Sequence, residues 1–452
     1  MKSITYTEEQ LKFINHNYND SIILNATAGS GKTQSAISRL DKMIDDGINP
    51  NEIIFFSFSN VAVSELKKRC KHNIRITTIH SFCYKVLYDF QINKEIFDMR
   101  KFISYFFNNK KNLIRNRMDL GKATALLKDD TVAFFTDIDR YKLLTFENEN
   151  KLLKKPLGYD MYINYLKENN LYDFTDLIFE VYKLSNKKEN FNYFNNMYKY
   201  VIIDEYQDTS VVQLKLLLNL NAQQYCLVGD KNQAIFAFSG VNCDALERIL
   251  KQHKNVKLMG LTINFRSTAD IVENANKYTS LKAKSKDNTQ GIIHKEILSE
   301  SDIIKKMNED KEYVILVRDN RTIKSLEYQM LINKTPICYI NYFTKDELET
   351  LSQNKGIKKN IRELIPIYKT YKGIADWIEQ NSNQKKFITT IHKSKGKEYE
   401  NCIIVNSLPP DLPNIPGYME KRVINMDNPE HTNVHYVAST RPKKEMFYGF
   451  ID

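Results

Sequence analysis

The sequence predicts an α/β protein of two lobes, each a parallel sheet flanked by helices and each interrupted by a helical insertion. Three observations carry that prediction. Short apolar runs alternate with helix-like stretches between Ser21 and Ile79, the rhythm of a parallel sheet covered by helices. A glycine-rich turn, Ala26-Thr-Ala-Gly-Ser-Gly-Lys-Thr33, stands where one such strand gives way to a helix. The run Val201-Ile-Ile-Asp-Glu-Tyr-Gln-Asp-Thr-Ser210 carries three β-formers into two adjacent carboxylates, as a buried parallel strand does when it delivers acids to its carboxyl end.

In chain order, Ser21-Ile-Ile-Leu-Asn25 reads as the strand entering the turn and Thr33 to Ile44 as the helix after it. Ile53 to Phe58 is a second strand, followed by a helix through Arg69, and Arg75 to Ile79 is a third strand. From Tyr84 to Leu171 the chain turns to long, Lys- and Asn-rich, helix-like segments, which predict a mostly helical insertion. Strands return at Tyr200 to Asp204 and Tyr225 to Asp230. A second αβ region opens near Val256 and contains Tyr313-Val-Ile-Leu-Val317. A polar helical stretch covers Thr344 to Lys385, and the last strand signals are Phe387 to Ile391 and Cys402 to Val405. The domain reading is therefore 1–83 with 172–257 for the first lobe and 84–171 for its insertion. The second lobe takes 258–343 with 386–452, and 344–385 is its smaller insertion.

At 452 residues the chain has material for two or three domains with buried cores. Its net charge of +11 favours an acidic partner such as nucleic acid, although basic charge alone does not specify one. The six cysteines are scattered with no C-x-x-C pair, which speaks against zinc or a disulfide framework and for a reducing cytoplasm. A polar segment follows Met1 and no apolar run nears the length of a membrane span, so neither a signal peptide nor a membrane is expected.

Ala26 to Thr33 fits the phosphate-binding P-loop with Ala26 in place of the first glycine. The small residues Thr27, Ala28, Gly29, Ser30 and Gly31 let backbone N–H groups curl around phosphate oxygens, and the following helix adds its positive end. Lys32 would neutralise the β- and γ-phosphates, and the Thr33 hydroxyl would sit on Mg²⁺. Asp204 then reads as the carboxylate that holds hydrated Mg²⁺, and Glu205 as the base that orients the attacking water. Phosphoryl transfer also wants cations at the γ-phosphate; Arg266 and Arg441 are the candidates, with a surface salt bridge the competing reading for each taken alone.

With these residues the chain resembles the UvrD/Rep-type superfamily 1 helicases, through a series of motifs in family order. Thr7-Glu-Glu-Gln10 is similar to the Q motif, whose Gln10 would read the adenine edge. Ser57-Phe-Ser-Asn-Val-Ala62 resembles motif Ia, and Thr77-Thr-Ile-His-Ser-Phe82 the DNA-contacting Thr-x-His-Ser motif. Asp173-Phe-Thr-Asp-Leu177 looks like the segment before motif II, which is Asp204-Glu-Tyr-Gln-Asp208. Gly229-Asp-Lys-Asn-Gln-Ala-Ile-Phe-Ala-Phe238 resembles motif III, where Gln233 would couple the γ-phosphate to the DNA site, with Gln207 and Asp208 leading toward it. Asn264-Phe-Arg-Ser267 resembles motif IV, with Phe265 stacking on adenine. Thr390-Ile-His-Lys-Ser-Lys-Gly-Lys-Glu-Tyr399 resembles motif V, with Glu398 on the ribose, and Tyr436 to Arg441 motif VI.

The resemblance implies two RecA-like P-loop NTPase lobes that bind ATP and Mg²⁺ between them and step 3′→5′ along single-stranded DNA, unwinding at single-strand/duplex junctions. It places Phe58, Phe236 and Phe238 as base-stacking residues, with Asn60, Thr78, His80, Thr390 and His392 holding phosphates or bases. For any one phenylalanine, core packing is the competing reading; His80 and His392 lack metal-ligand spacing. Phe238-Ser239 stands where the family has Trp-Arg, Gln34 where it has Arg, and Pro442 where it has Ala. The stretch from Phe343 to Thr390 is short for the family's large second accessory subdomain, and the chain ends soon after motif VI. A compact chain of this kind also fits an ATPase that senses DNA for a partner nuclease, as in anti-phage systems such as Gabija, or one serving a repair or replication partner. A P-loop enzyme acting on small molecules is the third reading.

Overall fold

Alternate residues along the strands of the first half of the chain enter opposite apolar cores. Ile22, Leu24, Ile53, Phe55, Ile202 and Val228 pack on one face of the sheet, and Ile23, Ile54, Phe56, Val201, Ile203 and Leu227 on the other. A strand buried on both faces reads as an unbroken apolar run because its side chains alternate between two dry surfaces. The computed structural model describes residues 5–113, 121–124, 127, 131–147, 153–235, 242–286, 288–357, 359, 361, 363–412, 415 and 417–451. Its contacts divide the chain into two units, Met1–Ala26 with Gly31–Leu261, and Thr27–Ser30 with Thr262–Asp452.

The strands of the first unit are β1 (Ser21–Ala26), β2 (Ile53–Phe56), β3 (Arg75–Thr77), β4 (Glu95–Ile96), β5 (Leu171–Tyr172), β6 (Tyr200–Asp204), β7 (Gln224–Gly229) and β8 (Val256–Leu261). Six form one sheet in the order β3-β2-β6-β7-β1-β8, and every neighbouring pair is parallel. Val256–Leu261, read from sequence as the opening of the second αβ region, is the edge strand of this first sheet, paired along β1. The helices that bear on the site are α1 (Glu8–Ile14), α2 (Lys32–Asp45), α3 (Asn60–Arg69) and α4 (Ile79–Asp89). Three further helices, Met99–Leu113, Thr131–Glu147 and Tyr159–Glu168, gather around an aromatic core of their own that includes Phe102, Phe106, Phe134, Phe135, Tyr162 and Tyr165.

The second unit holds β9 (Ile263–Asn264), β10 (Lys284–Ser285), β11 (Ile292–Leu298), β12 (Val314–Val317), β13 (Phe387–Thr390), β14 (Tyr399–Val405) and β15 (Pro442–Gly449). Five of these make a parallel sheet ordered β11-β15-β14-β12-β13. The segment read as a second insertion contains Lys345–Ser352, Leu364–Tyr368 and Tyr371–Gln380. Their Leu351, Leu364, Tyr368, Ile374 and Ile378 pack into the same core as Ile315 and Ile403 of the sheet. Two units, each a parallel sheet flanked by helices, are the α/β class the sequence predicts. Among the described residues no helix is long and apolar enough to cross a membrane.

Candidate nucleotide and nucleic-acid sites

Strand β1 runs into a turn whose Gly29 and Gly31 have φ of 74° and 76°, a left-handed conformation that glycine adopts at little cost. Helix α2 begins at Lys32 with Gly31 as its N-cap and no side chain capping it, so its first amides face the turn as donors for an anion. Gln10, expected at adenine, is buried and closes a capping box on α1: its Oε1 accepts from the Thr7 amide at 2.9 Å. A Cβ on Gly31 would lie 3.0 Å from Gln10 Nε2, which places that amide beside the turn.

β6 delivers its acids to the start of α2. Lys32 Nζ lies 2.9 Å from Glu205 Oε2, and the Thr33 hydroxyl donates to Asp204 Oδ2 at 3.1 Å. Burial works against the Lys32 ammonium, yet Glu205, Asp204 and Asp230 outweigh it and hold the group above the ordinary lysine range. Burial, reinforced by Glu205, pushes the Asp204 carboxyl above the ordinary carboxylate range despite Lys32 and Thr33. A buried carboxyl that resists ionising is a place where a cation is welcome. The hydroxyl and carboxylate oxygens of Thr33 and Asp204 are the hard donors that Mg²⁺ prefers, and one or two such ligands beside phosphates suffice for it. No cluster of three or more His, Cys, Asp or Glu suited to a metal occurs among the described residues.

Glu205 itself has φ of 55°, a strained position for a residue with a Cβ and a common mark of a working site. Its Oε2 also accepts from Gln207 Nε2, and Gln207 Oε1 accepts from the Asp230 amide at 3.0 Å. Asp230 Oδ2 in turn accepts from Gln233 Nε2 at 2.8 Å. The four residues therefore form one line of hydrogen bonds from β6 to the end of β7, passing through the Asp230 backbone amide and its carboxylate. Gly229 makes room for it, because a Cβ there would stand 2.1 Å from Gln207 Oε1. Sequence reasoning marked Gln207 and Gln233 but missed Asp230, the group that joins them.

The candidate DNA residues of this unit lie at the carboxyl ends of β2 and β3. Phe58 is 54% exposed and Asn60 is exposed at the start of α3. Thr78 is buried and caps α4, its Oγ1 accepting from the Ser81 amide at 3.1 Å, so its side chain shapes the helix start. His80 meets Phe174 edge to face, with centroids 5.3 Å apart, and burial lowers its pKa below the ordinary histidine value. Phe174 is 59% exposed and sequence reasoning passed it over, although it lies in the quoted Asp173 to Leu177 segment. That segment is held by Lys142, 2.7 Å from Asp173, which also accepts from the Tyr162 hydroxyl. Phe236 and Phe238 lie outside the described residues.

In the second unit, Asn264 Oδ1 accepts from the amides of Arg266 and Ser267 at 2.7 and 2.9 Å, a tight turn that projects Phe265, 41% exposed, with Lys286 Nζ 4.9 Å over its ring. Asn264 Nδ2 donates to Ala28 O at 2.8 Å, and Gly29 O accepts from the Phe265 amide at 2.9 Å. Arg266 Nε lies 2.6 Å from Glu398 Oε2, and Lys443 pairs with the other oxygen. Burial would raise the Glu398 carboxyl, but Lys443 and Arg266 hold it below its ordinary value. Arg441 is turned inward at 1% exposure: its Nε donates to Val437 O and its Nη1 to Lys397 O, at 3.0 and 2.9 Å. Thr390 caps the turn Ile391–Ser394 as Thr78 caps α4, and His392 is half-buried beside it.

Comparison with known proteins matches the UvrD/REP helicase N-terminal domain over residues 6–254 and the UvrD-like helicase C-terminal domain over residues 342–451. A probable DNA helicase II homolog of Mycoplasma capricolum is 30% identical over 62% of this chain and 41% of its own length. The ATP-dependent DNA helicase Rep of a Buchnera aphidicola strain is 26% identical over 76% of this chain and 57% of its own. A probable DNA helicase of Mycoplasma pneumoniae is 25% identical over 93% of this chain and 78% of its own. The chain thus spans about half the length of the first two of these relatives.

Proposed function

The chain belongs to the UvrD/Rep helicase family, and from that membership we propose that it is an ATP-driven motor that steps 3′→5′ along single-stranded DNA and separates duplex at junctions. The observation that carries this reading is the hydrogen-bonded line from Glu205 through Gln207 and Asp230 to Gln233. It joins the residue assigned to hydrolysis to the segment assigned to DNA coupling.

The chemistry follows from the side chains. Lys32 and the first amides of α2 bind the β- and γ-phosphates, and Glu205 orients the attacking water and takes its proton. Mg²⁺, held by Thr33 and Asp204, would neutralise charge on the β- and γ-oxygens. Arg266 and Arg441 stabilise charge on the transferring phosphoryl group, which an arginine does by about 10³–10⁵ in rate. Arg266 must leave one carboxylate to do so, and Arg441 a set of backbone carbonyls. Gln10 and Phe265 take the adenine and Glu398 the ribose. Phe58, His80 and the added Phe174 present faces for bases, with Asn60, Thr78, Thr390 and His392 lining the strand. The scattered cysteine pattern, with no C-x-x-C pair, suits a reducing cytoplasm.

ATPase rates with and without single-stranded DNA, measured beside unwinding of 3′- and 5′-tailed duplexes, test the reading. DNA-stimulated hydrolysis and a 3′-tail requirement are expected. Hydrolysis indifferent to nucleic acid would sink it, and a 5′-tail preference would sink the polarity. A second reading is a DNA-sensing ATPase that serves a partner nuclease. It draws on the helices between Lys345 and Gln380, which pack on the lobe's own core rather than forming a separate module. Stimulated hydrolysis without strand separation would favour it.

A further inference from the structure

Helix α4 continues past the candidate DNA residues with two tyrosines that nothing above uses. His80, Tyr84 and Tyr88 follow at intervals of four, which sets them about 6 Å apart along one face of the helix. Tyr84 is 54% and Tyr88 70% exposed, an uncommon outlay of aromatic surface to water. They wall a recess of about 320 Å³ floored by Leu87, Tyr172 and Leu177, at the small end of ligand-sized cavities. Its rim carries Lys94, whose Nζ stands 4.1 Å over the Tyr172 ring, and the amide side chains of Asn93 and Asn170.

We propose that this recess is a nucleotide subsite, in which Tyr84 and Tyr88 stack one base of single-stranded DNA beyond those held at His80 and Phe174. The inference rests on the DNA-binding reading of the same unit and extends it. The apolar floor takes a base face, the asparagine amides offer a donor and an acceptor to any base edge, and Lys94 faces the phosphate. Glu95 is the one acid on the rim, and it directs the phosphate to the Lys94 side. A protein partner would equally value exposed tyrosines. The unbroken line from His80 along a single helix favours the DNA strand, because a strand leaving His80 along α4 meets the next ring after one helical turn.

The test is fluorescence anisotropy with single-stranded oligonucleotides of increasing length. The proteins are wild type, Tyr84→Ala/Tyr88→Ala, Tyr84→Phe/Tyr88→Phe and Phe58→Ala. Short oligonucleotides should bind wild type and the double-alanine variant alike. Once the oligonucleotide is long enough to reach the recess, the double-alanine variant should bind roughly 5- to 150-fold more weakly, the loss of one stacked base, and the double-phenylalanine variant should bind as wild type. If the double-alanine variant follows wild type at every length while Phe58→Ala weakens binding, the subsite is overturned and the DNA reading stands. If wild type binds no oligonucleotide, both fall. Photo-crosslinking of 5-iodouracil oligonucleotides to the wild-type protein is independent of any variant's folding: adducts on Tyr84 or Tyr88 support the subsite, and their absence alongside adducts elsewhere overturns it.

Discussion

Lys32 Nζ and Glu205 Oε2 lie 2.9 Å apart, so the cation assigned to phosphate is paired with the carboxylate assigned to water. The pair is a mutual hold that nucleotide phosphates would exchange for their own contact with Lys32. Replacing Glu205 with Gln keeps the shape and removes the charge. Turnover should fall about 10²–10⁴-fold, the usual loss of a general base, while ATP binds at least as tightly because Lys32 is released from its ion pair with Glu205 and keeps only the more distant pull of Asp204 and Asp230. Phosphate release and nucleotide titration measure the two effects. Near-normal turnover would take Glu205 out of its assigned role.

Gly229 leaves the space that Gln207 fills. A methyl group at that position meets Gln207 Oε1 at 2.1 Å and the Tyr206 ring at 2.7 Å, so Gly229→Ala pushes the amide off the Asp230 backbone. The overpacked site should cost about 1–3 kcal/mol. The ratio of DNA-stimulated to DNA-free hydrolysis should also fall, since the line to Gln233 is broken. A wild-type ratio in the variant would show that coupling runs by another route.

Lys142 is the anchor of the Asp173–Leu177 segment. Its side chain is 5% exposed and its ammonium pairs with both Asp173 and Asp176, while Asp173 also caps the helix Phe174–Ser185. Breaking a buried pair on one side strands the other charge, at about 3–5 kcal/mol. Lys142→Met should therefore lower the unfolding free energy by that order in chemical denaturation. It should also weaken DNA binding through the displaced Phe174. A loss within experimental error of zero would mean that the carboxylates find other partners.

Much of this architecture is written in β1, β2, β6 and β7, whose apolar runs are continuous because both sheet faces are covered. β15 escaped notice because it opens Pro442-Lys-Lys-Glu, even though Met446 to Gly449 are buried. β8 and β11 are edge strands with half-exposed residues, so their patterns carry neither unbroken apolarity nor clean alternation. At the candidate site, residue types and order single out Lys32, Thr33, Asp204 and Glu205, which the fold brings together. The role of Asp230 depends on a contact with Gln207 across neighbouring strands, and no local pattern encodes it. Arg441 illustrates the same limit: its place in the series is legible, but its burial against Val437 and Lys397 arises from how the chain turns there.

His435 bears on acid stability. It is fully buried on the helix Pro429–Ser439, with Nδ1 3.0 Å from the Ser407 hydroxyl and its ring beside Tyr278 and Tyr448. Burial lowers its pKa to about 3, against about 6.5 in an unfolded chain. Above pH 6.5 the ring is neutral in both states and stability is unaffected. As pH falls from 6.5 toward 3 the unfolded chain takes up a proton that the folded chain refuses, so stability drops progressively. At pH 5 the loss is about 2 kcal/mol. His435→Gln, which can still meet Ser407, should be less stable than wild type at pH 7.5 yet lose less on acidification. The gap between the two melting temperatures should therefore narrow as pH goes from 7.5 to 5. A gap that stays constant, or widens, would mean that another group sets the acid limit.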